Sequence, residues 1–125
     1  IADLETLRYS TNPYNINRLT MAAGLGQLAD EEETRRNCQT IVENRDYTTA
    51  KLTEMGFDVL PSAANFVFAT TDKIGGKELY LRLKDKGILV RHFDKPRLKE
   101  YNRITIGSRA QMDALLTAIR EILEG

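Results

Sequence analysis

A single cysteine, a single histidine and no tryptophan narrow the chemistry open to this chain. One cysteine forms no intrachain disulfide, which excludes a secreted scaffold held by cross-links. One histidine rules out a multi-histidine metal site and leaves His92 as the sole candidate base for a hydrolytic triad. Neither charge is in excess, since 18 Lys and Arg balance 18 Asp and Glu, so nucleic acid and anionic membranes are attracted by no net field. No apolar run approaches the ~20 residues of a membrane span, and no basic stretch followed by an apolar core opens the chain. The expectation is a cytoplasmic protein with neither membrane nor nucleic acid as partner.

What is present is the composition of one ordinary globular domain: 125 residues, 42% hydrophobic and 29% charged. The chain opens on Ile1-Ala2-Asp3-Leu4 without methionine and inside a helical pattern, which suggests a piece of something longer. Residues 1–9 read as the tail of a helix, broken around Pro13. A second helix is expected from about Ile16 to Ala29, and a third from about Asp30 to Met55. Asp30, Glu31, Glu32 and Glu33 match the dipole at the head of the third, and Gly56 is its natural stop. Cys38, Ile41, Val42, Leu52 and Met55 form its apolar stripe, with Arg45 and Thr48 or Thr49 as interruptions. Cys38 is expected to be a small buried hydrophobe on that stripe.

From Phe57 the period changes to that of strands. Short strands are expected at 57–60, 65–69, 88–91 and 103–107, with a helix from Gly75-Gly76 to Gly87 between the second and third. Ser108 and Gln111 have capping-box spacing, and Met112, Leu115, Leu116, Ile119, Ile122 and Leu123 mark the apolar face of a last helix. Three helices, two strands, a helix, two strands and a helix define an α/β domain, a small β-sheet packed against helices.

Most candidate motifs have plain structural readings. Gly24-Leu25-Gly26 is half a dinucleotide fingerprint, but lies in a helical pattern with no strand before it, so helix packing explains it better. Gly75-Gly76-Lys77 lacks the upstream glycine and the following Ser or Thr of a phosphate loop, so it reads as a helix start. His92 reads as a surface or hinge residue. Arg91 and Arg103 stand out. Arg91 ends one apolar strand and Arg103 begins the next. If those strands are neighbours, two guanidinium groups emerge together, a suitable seat for a phosphate or carboxylate. Spacing alone favours two solvated strand-end arginines, the usual state of such residues.

Three segments in order resemble one family. Asn12-Pro13-Tyr14-Asn15-Ile16-Asn17 is similar to the crossing segment of histidinol-phosphate aminotransferases. Pro61-Ser62-Ala63-Ala64-Asn65-Phe66-Val67 resembles the family's "PS-x-ANF" strand. Gly87-Ile88-Leu89-Val90-Arg91, followed by Arg103-Ile104-Thr105-Ile106-Gly107-Ser108, resembles its "GILVR … RIT-[IV]-G-[TS]" pair. The likeness covers essentially the whole chain, although "ANF" and "GI-x-VR" recur in sister aminotransferases.

The resemblance implies the small C-terminal domain of a fold type I transferase dependent on pyridoxal 5'-phosphate. Residues 1–15 would be the end of a large-domain helix and the crossing segment, and residues 16–125 the small domain. It implies transamination between histidinol phosphate and 2-oxoglutarate, yielding glutamate, in histidine biosynthesis. Arg103 would grip the substrate's phosphate or carboxylate and Arg91 would assist, with Asn65, Tyr14 and Asn15 in support. The Schiff-base lysine and the cofactor-binding residues have no match here. The cofactor would therefore belong to a large domain outside this chain, the full-length enzyme would be a homodimer, and this chain alone would be inactive. The same arginines would serve an aminotransferase for aromatic or other amino acids, or a phosphothreonine-type decarboxylase. A stand-alone anion-binding module is the non-enzymatic alternative.

Overall fold

Helices and strands follow the punctuation of the sequence closely. The computed structural model describes residues 1–11, 14 and 16–125, the side chains of Arg8 and Thr11 apart. Its elements are α1 (Ala2–Thr11), α2 (Arg18–Ala29), α3 (Glu31–Glu54), β1 (Asp58–Val59), β2 (Phe66–Thr70), α4 (Gly76–Asp85), β3 (Arg91–His92), β4 (Asn102–Thr105) and α5 (Arg109–Glu124). They form two compact units, residues 1–36 and 37–125, so the division falls within α3.

In the first unit the Asn17 side chain accepts from the Thr20 amide and caps α2. No residue of α2 is buried, and a Cβ on Gly24 or Gly26 would meet nothing within 4 Å. The helix-packing role expected of those glycines is thus not seen within this unit. Asp30 caps α3 by accepting from the Glu33 amide.

The second unit holds the core. Both helices that lead into strands end in the same way. Gly56 and Gly87 take positive φ, +88° and +78°, a backbone conformation that a Cβ disfavours. The Phe57 amide donates to Leu52 O and the Ile88 amide to Leu83 O, satisfying carbonyls the helix ends would leave unpaired. Phe57, Leu52 and Leu83 are all buried, so each stop is also a packing contact.

The sheet has the order β1-β2-β4-β3, with every neighbouring pair antiparallel. Alternation sorts its faces. Val67, Ala69 and Ile104 turn inward onto Leu52, Leu79, Leu83, Leu115 and Ile119. On the opposite face Phe66, Phe68, Thr70 and Arg103 are half-buried and Thr105 is exposed. The capping box at α5 is complete, Ser108 accepting from the Gln111 amide and Gln111 from the Ser108 amide.

Three expectations need correction. Cys38 is exposed. The buried line of α3 runs instead through Asn44, Thr48 and Leu52, one turn apart. Thr48 is not an interruption: it is fully buried because its hydroxyl donates back to Asn44 O, while Asn44 Nδ2 donates to Gly107 O. The third strand covers Arg91–His92 rather than 88–91. Ile88, Leu89 and Val90 find no strand partner there, and Leu89 is 78% exposed.

Candidate functional site

Register brings the two arginines together. Arg91 on β3 is the direct cross-strand partner of Arg103 on β4, and Arg103 in turn lies opposite Phe68 on β2. Directly opposed residues share a face, here the face turned away from the core helices. Neither arginine makes an ion pair among the described residues. Arg103 Nε is buried and has no hydrogen-bond acceptor, an N–H donor held out of water and unused.

Aromatic rings surround the pair. Arg103 Cζ lies 5.3 Å from the Phe66 ring centroid and 5.9 Å from that of Phe93. Arg91 Cζ lies 5.3 Å from the same Phe93 ring. Phe93 stacks on Phe68 at 6.0 Å and 15°, and Phe68 also touches Phe66 and Tyr101. Beyond Phe68 an open groove of about 800 Å³ runs between Leu60, Tyr101 and the loop residues Lys95, Pro96, Arg97 and Leu98.

The other predicted residues fall elsewhere. Asn65 is exposed, its backbone carbonyl accepting from the Ile106 amide. It lines a groove against α3 with Cys38, Ile41, Arg45 and Ala64 rather than the arginine face. Tyr14 is 85% exposed and belongs to the first unit. Asn15 lies outside the described residues, as do Asn12 and Pro13 of the crossing segment. His92 is no surface residue: it is half-buried against Tyr80 at 6.0 Å, and both its ring nitrogens are buried without partners. Sequence reading missed the four-ring platform of Phe66, Phe68, Phe93 and Tyr101. Its signal was available, because Phe66 and Phe68 alternate with inward Val67 and Ala69, and Phe93 is two residues from Arg91.

Two guanidinium groups side by side, with no carboxylate paired to either among the described residues, present donors suited to an anion. No lysine lies on any of the four strands, and Arg103 is flanked by Arg91 and Phe68 rather than by a carboxylate. Pyridoxal phosphate, whose aldehyde needs an amine and whose ring nitrogen needs an acid, therefore does not fit this face.

Known proteins place the fold in a family. Residues 4–119 match the family described as aminotransferase class I and II, and the chain belongs to it. Among similar proteins is the histidinol-phosphate aminotransferase of Brachyspira hyodysenteriae, 40% identical over 99% of this chain and 35% of that protein. That of Aromatoleum aromaticum is 41% identical over 98% of this chain and 35% of its own length. The chain thus spans about a third of the curated relatives it matches. A crystal structure of histidinol-phosphate aminotransferase from Sinorhizobium meliloti in complex with pyridoxal-5'-phosphate superposes with a TM-score of 0.79, at 28% identity, over 90% of this chain and 32% of that one.

Proposed function

We propose that this chain is the anion-gripping part of a pyridoxal-phosphate-dependent aminotransferase that acts on histidinol phosphate with 2-oxoglutarate as acceptor. The observation that carries the reading is the cross-strand pairing of Arg91 with Arg103, without a carboxylate partner, in a chain about 40% identical to histidinol-phosphate aminotransferases. Residues 1–15 belong in this reading to the crossing from a large domain, and residues 16–125 to the small domain. The complete enzyme is a cytoplasmic homodimer, and this chain alone is inactive because the cofactor's lysine lies outside it.

Pyridoxal phosphate, seated by residues beyond this chain, supplies the electron sink that lets an amino group leave one carbon skeleton and enter another. The residues here bind and orient. Arg103 presents a planar fork to the phosphate of histidinol phosphate, or to the side-chain carboxylate of glutamate in the return half of the cycle. Arg91 adds charge from the adjacent strand. Clamping the anion remote from the reacting carbon limits the rotations open to that carbon, the entropic part of catalysis.

The deciding experiment compares histidinol phosphate, phenylalanine and aspartate as amino donors to 2-oxoglutarate in the complete enzyme. A kcat/KM for histidinol phosphate at least about tenfold above the others supports the assignment. A preference for phenylalanine or aspartate removes the named substrate and leaves the arginines as a carboxylate grip.

A further inference from the structure

We infer that Phe93 is a positioning residue for the arginine pair: one aromatic ring holds both guanidinium groups in place for the incoming anion. The inference rests on the reading of Arg91 and Arg103 as an anion site. It starts from a problem that reading leaves open. Two like charges on directly opposed strand positions repel, and before ligand arrives no carboxylate among the described residues holds either of them. Long, flexible side chains so placed would swing apart into solvent, and each would have to be immobilised again when ligand binds.

Phe93 answers that problem. Among the described residues its ring is the one aromatic face that both arginines approach, at 5.3 Å from Arg91 Cζ and 5.9 Å from Arg103 Cζ. An aromatic face attracts a cation through its quadrupole and occupies no oxygen acceptor. The guanidinium donors of both arginines are thus not taken up by a carboxylate among the described residues. A carboxylate in the same place would compete with the substrate for those donors. The ring is itself fixed, stacked on Phe68 at 15° while Phe68 is braced by Phe66 and Tyr101. Phe93 is half-buried, which fits a wall of a site better than a core filler. It touches neither the reacting carbon nor, in this reading, the anion; it acts through the arginines.

The test uses the complete enzyme with cofactor bound, so that the cofactor's own phosphate seat is filled, and inorganic phosphate as probe. Phosphate affinity is measured by calorimetry for the wild type and for Phe93→Leu, Phe93→Tyr and Arg103→Ala. Steady-state kinetics and thermal unfolding are recorded on the same samples. Phe93→Leu is expected to raise the phosphate Kd and the donor KM by roughly 3- to 10-fold, the loss of one or two exposed cation–π contacts, with kcat within about twofold. Phe93→Tyr, which keeps the ring face, is expected to restore both. Should the leucine variant fold poorly, pentafluorophenylalanine at position 93 keeps the shape and removes the negative ring face, and the same weakening is expected. Unchanged phosphate affinity in the leucine or fluorinated protein, alongside loss of binding in Arg103→Ala, overturns the role of Phe93 and leaves the arginine site standing. Unchanged binding in Arg103→Ala removes the anion site itself, and the inference with it.

Discussion

At the scale of residues, the two arginines are not equivalent. Arg103 is half-buried between two rings with a buried, unsatisfied Nε, whereas Arg91 is exposed and approaches one ring among the described residues, that of Phe93. A charge-assisted hydrogen bond contributes about 1.5–3 kcal/mol, more where solvent screens it less. Arg103→Ala in the complete enzyme is therefore expected to lower kcat/KM for the phosphorylated donor by roughly 100-fold, and Arg91→Ala by roughly tenfold or less. Arg103→Lys recovers little, since a point charge does not reproduce the fork. Steady-state kinetics on the three variants check the order. Equal losses at the two positions would show that burial does not set the difference. The pairing itself was visible in the sequence only as a conditional, because the spacing of Arg91 and Arg103 does not say whether their strands are neighbours. The aromatic platform was legible by alternation and went unread because phenylalanines on a strand look like core. Asn65 was drawn to the arginines by its motif, but where it sits it faces α3.

At the scale of elements, what the sequence made plain was punctuation. Gly56, Gly87, Ser108 and the dipole-matched acids all end or begin helices where expected, since each acts through its own backbone and needs no distant partner. The third strand was misread for the opposite reason. Ile88-Leu89-Val90 has strand composition, but a strand exists only where a neighbour accepts its hydrogen bonds, and pairing with β4 begins at Arg91. Thr48 likewise reads as polar until its bond to Asn44 O is known. A further local rule is hidden in Gly75-Gly76. A Cβ on Gly76 would stand 2.7 Å from the backbone of Lys99 and Glu100, whereas one on Gly75 meets nothing within 4 Å. Gly76 thus lets the head of α4 lie directly against the loop that leads into β4, where Asn102 Nδ2 donates to Gly76 O. Backbone on the far side cannot yield as a side-chain tip would, so Gly76→Ala is expected to cost about 1–3 kcal/mol and to lower the melting temperature by at least about 4 °C. Gly75→Ala meets no clash and is expected to cost less, about 1 kcal/mol or under, from the poorer N-cap alone. Calorimetric scans of the two variants side by side separate a packing constraint from a general dislike of substitution at a helix start.

At the scale of the whole molecule, apolar burial is unevenly divided. Every residue of the buried hydrophobic core lies between Leu52 and Ile122, inside the second unit. In the first unit Leu4, Leu19, Leu25 and Leu28 are between 68% and 83% exposed, and α2 buries nothing. A helix of 12 residues without a packed face is marginal in water, because nucleation is costly and tertiary burial is what usually offsets it. The two units are therefore expected to differ sharply in hydrogen exchange when the 125-residue chain is studied alone. Amides of β2, β4 and α5 should exchange through global unfolding, while those of α1 and α2 open locally, with protection lower by roughly 100-fold or more. Exchange read by mass spectrometry decides it. Protection in α2 equal to that in α5 would mean that residues 18–29 share the cooperative unit of the sheet, and that burial within each unit is not what sets stability here. The expected contrast would instead place the stability of the arginine face wholly in residues 37–125, where strand register holds Arg91 opposite Arg103.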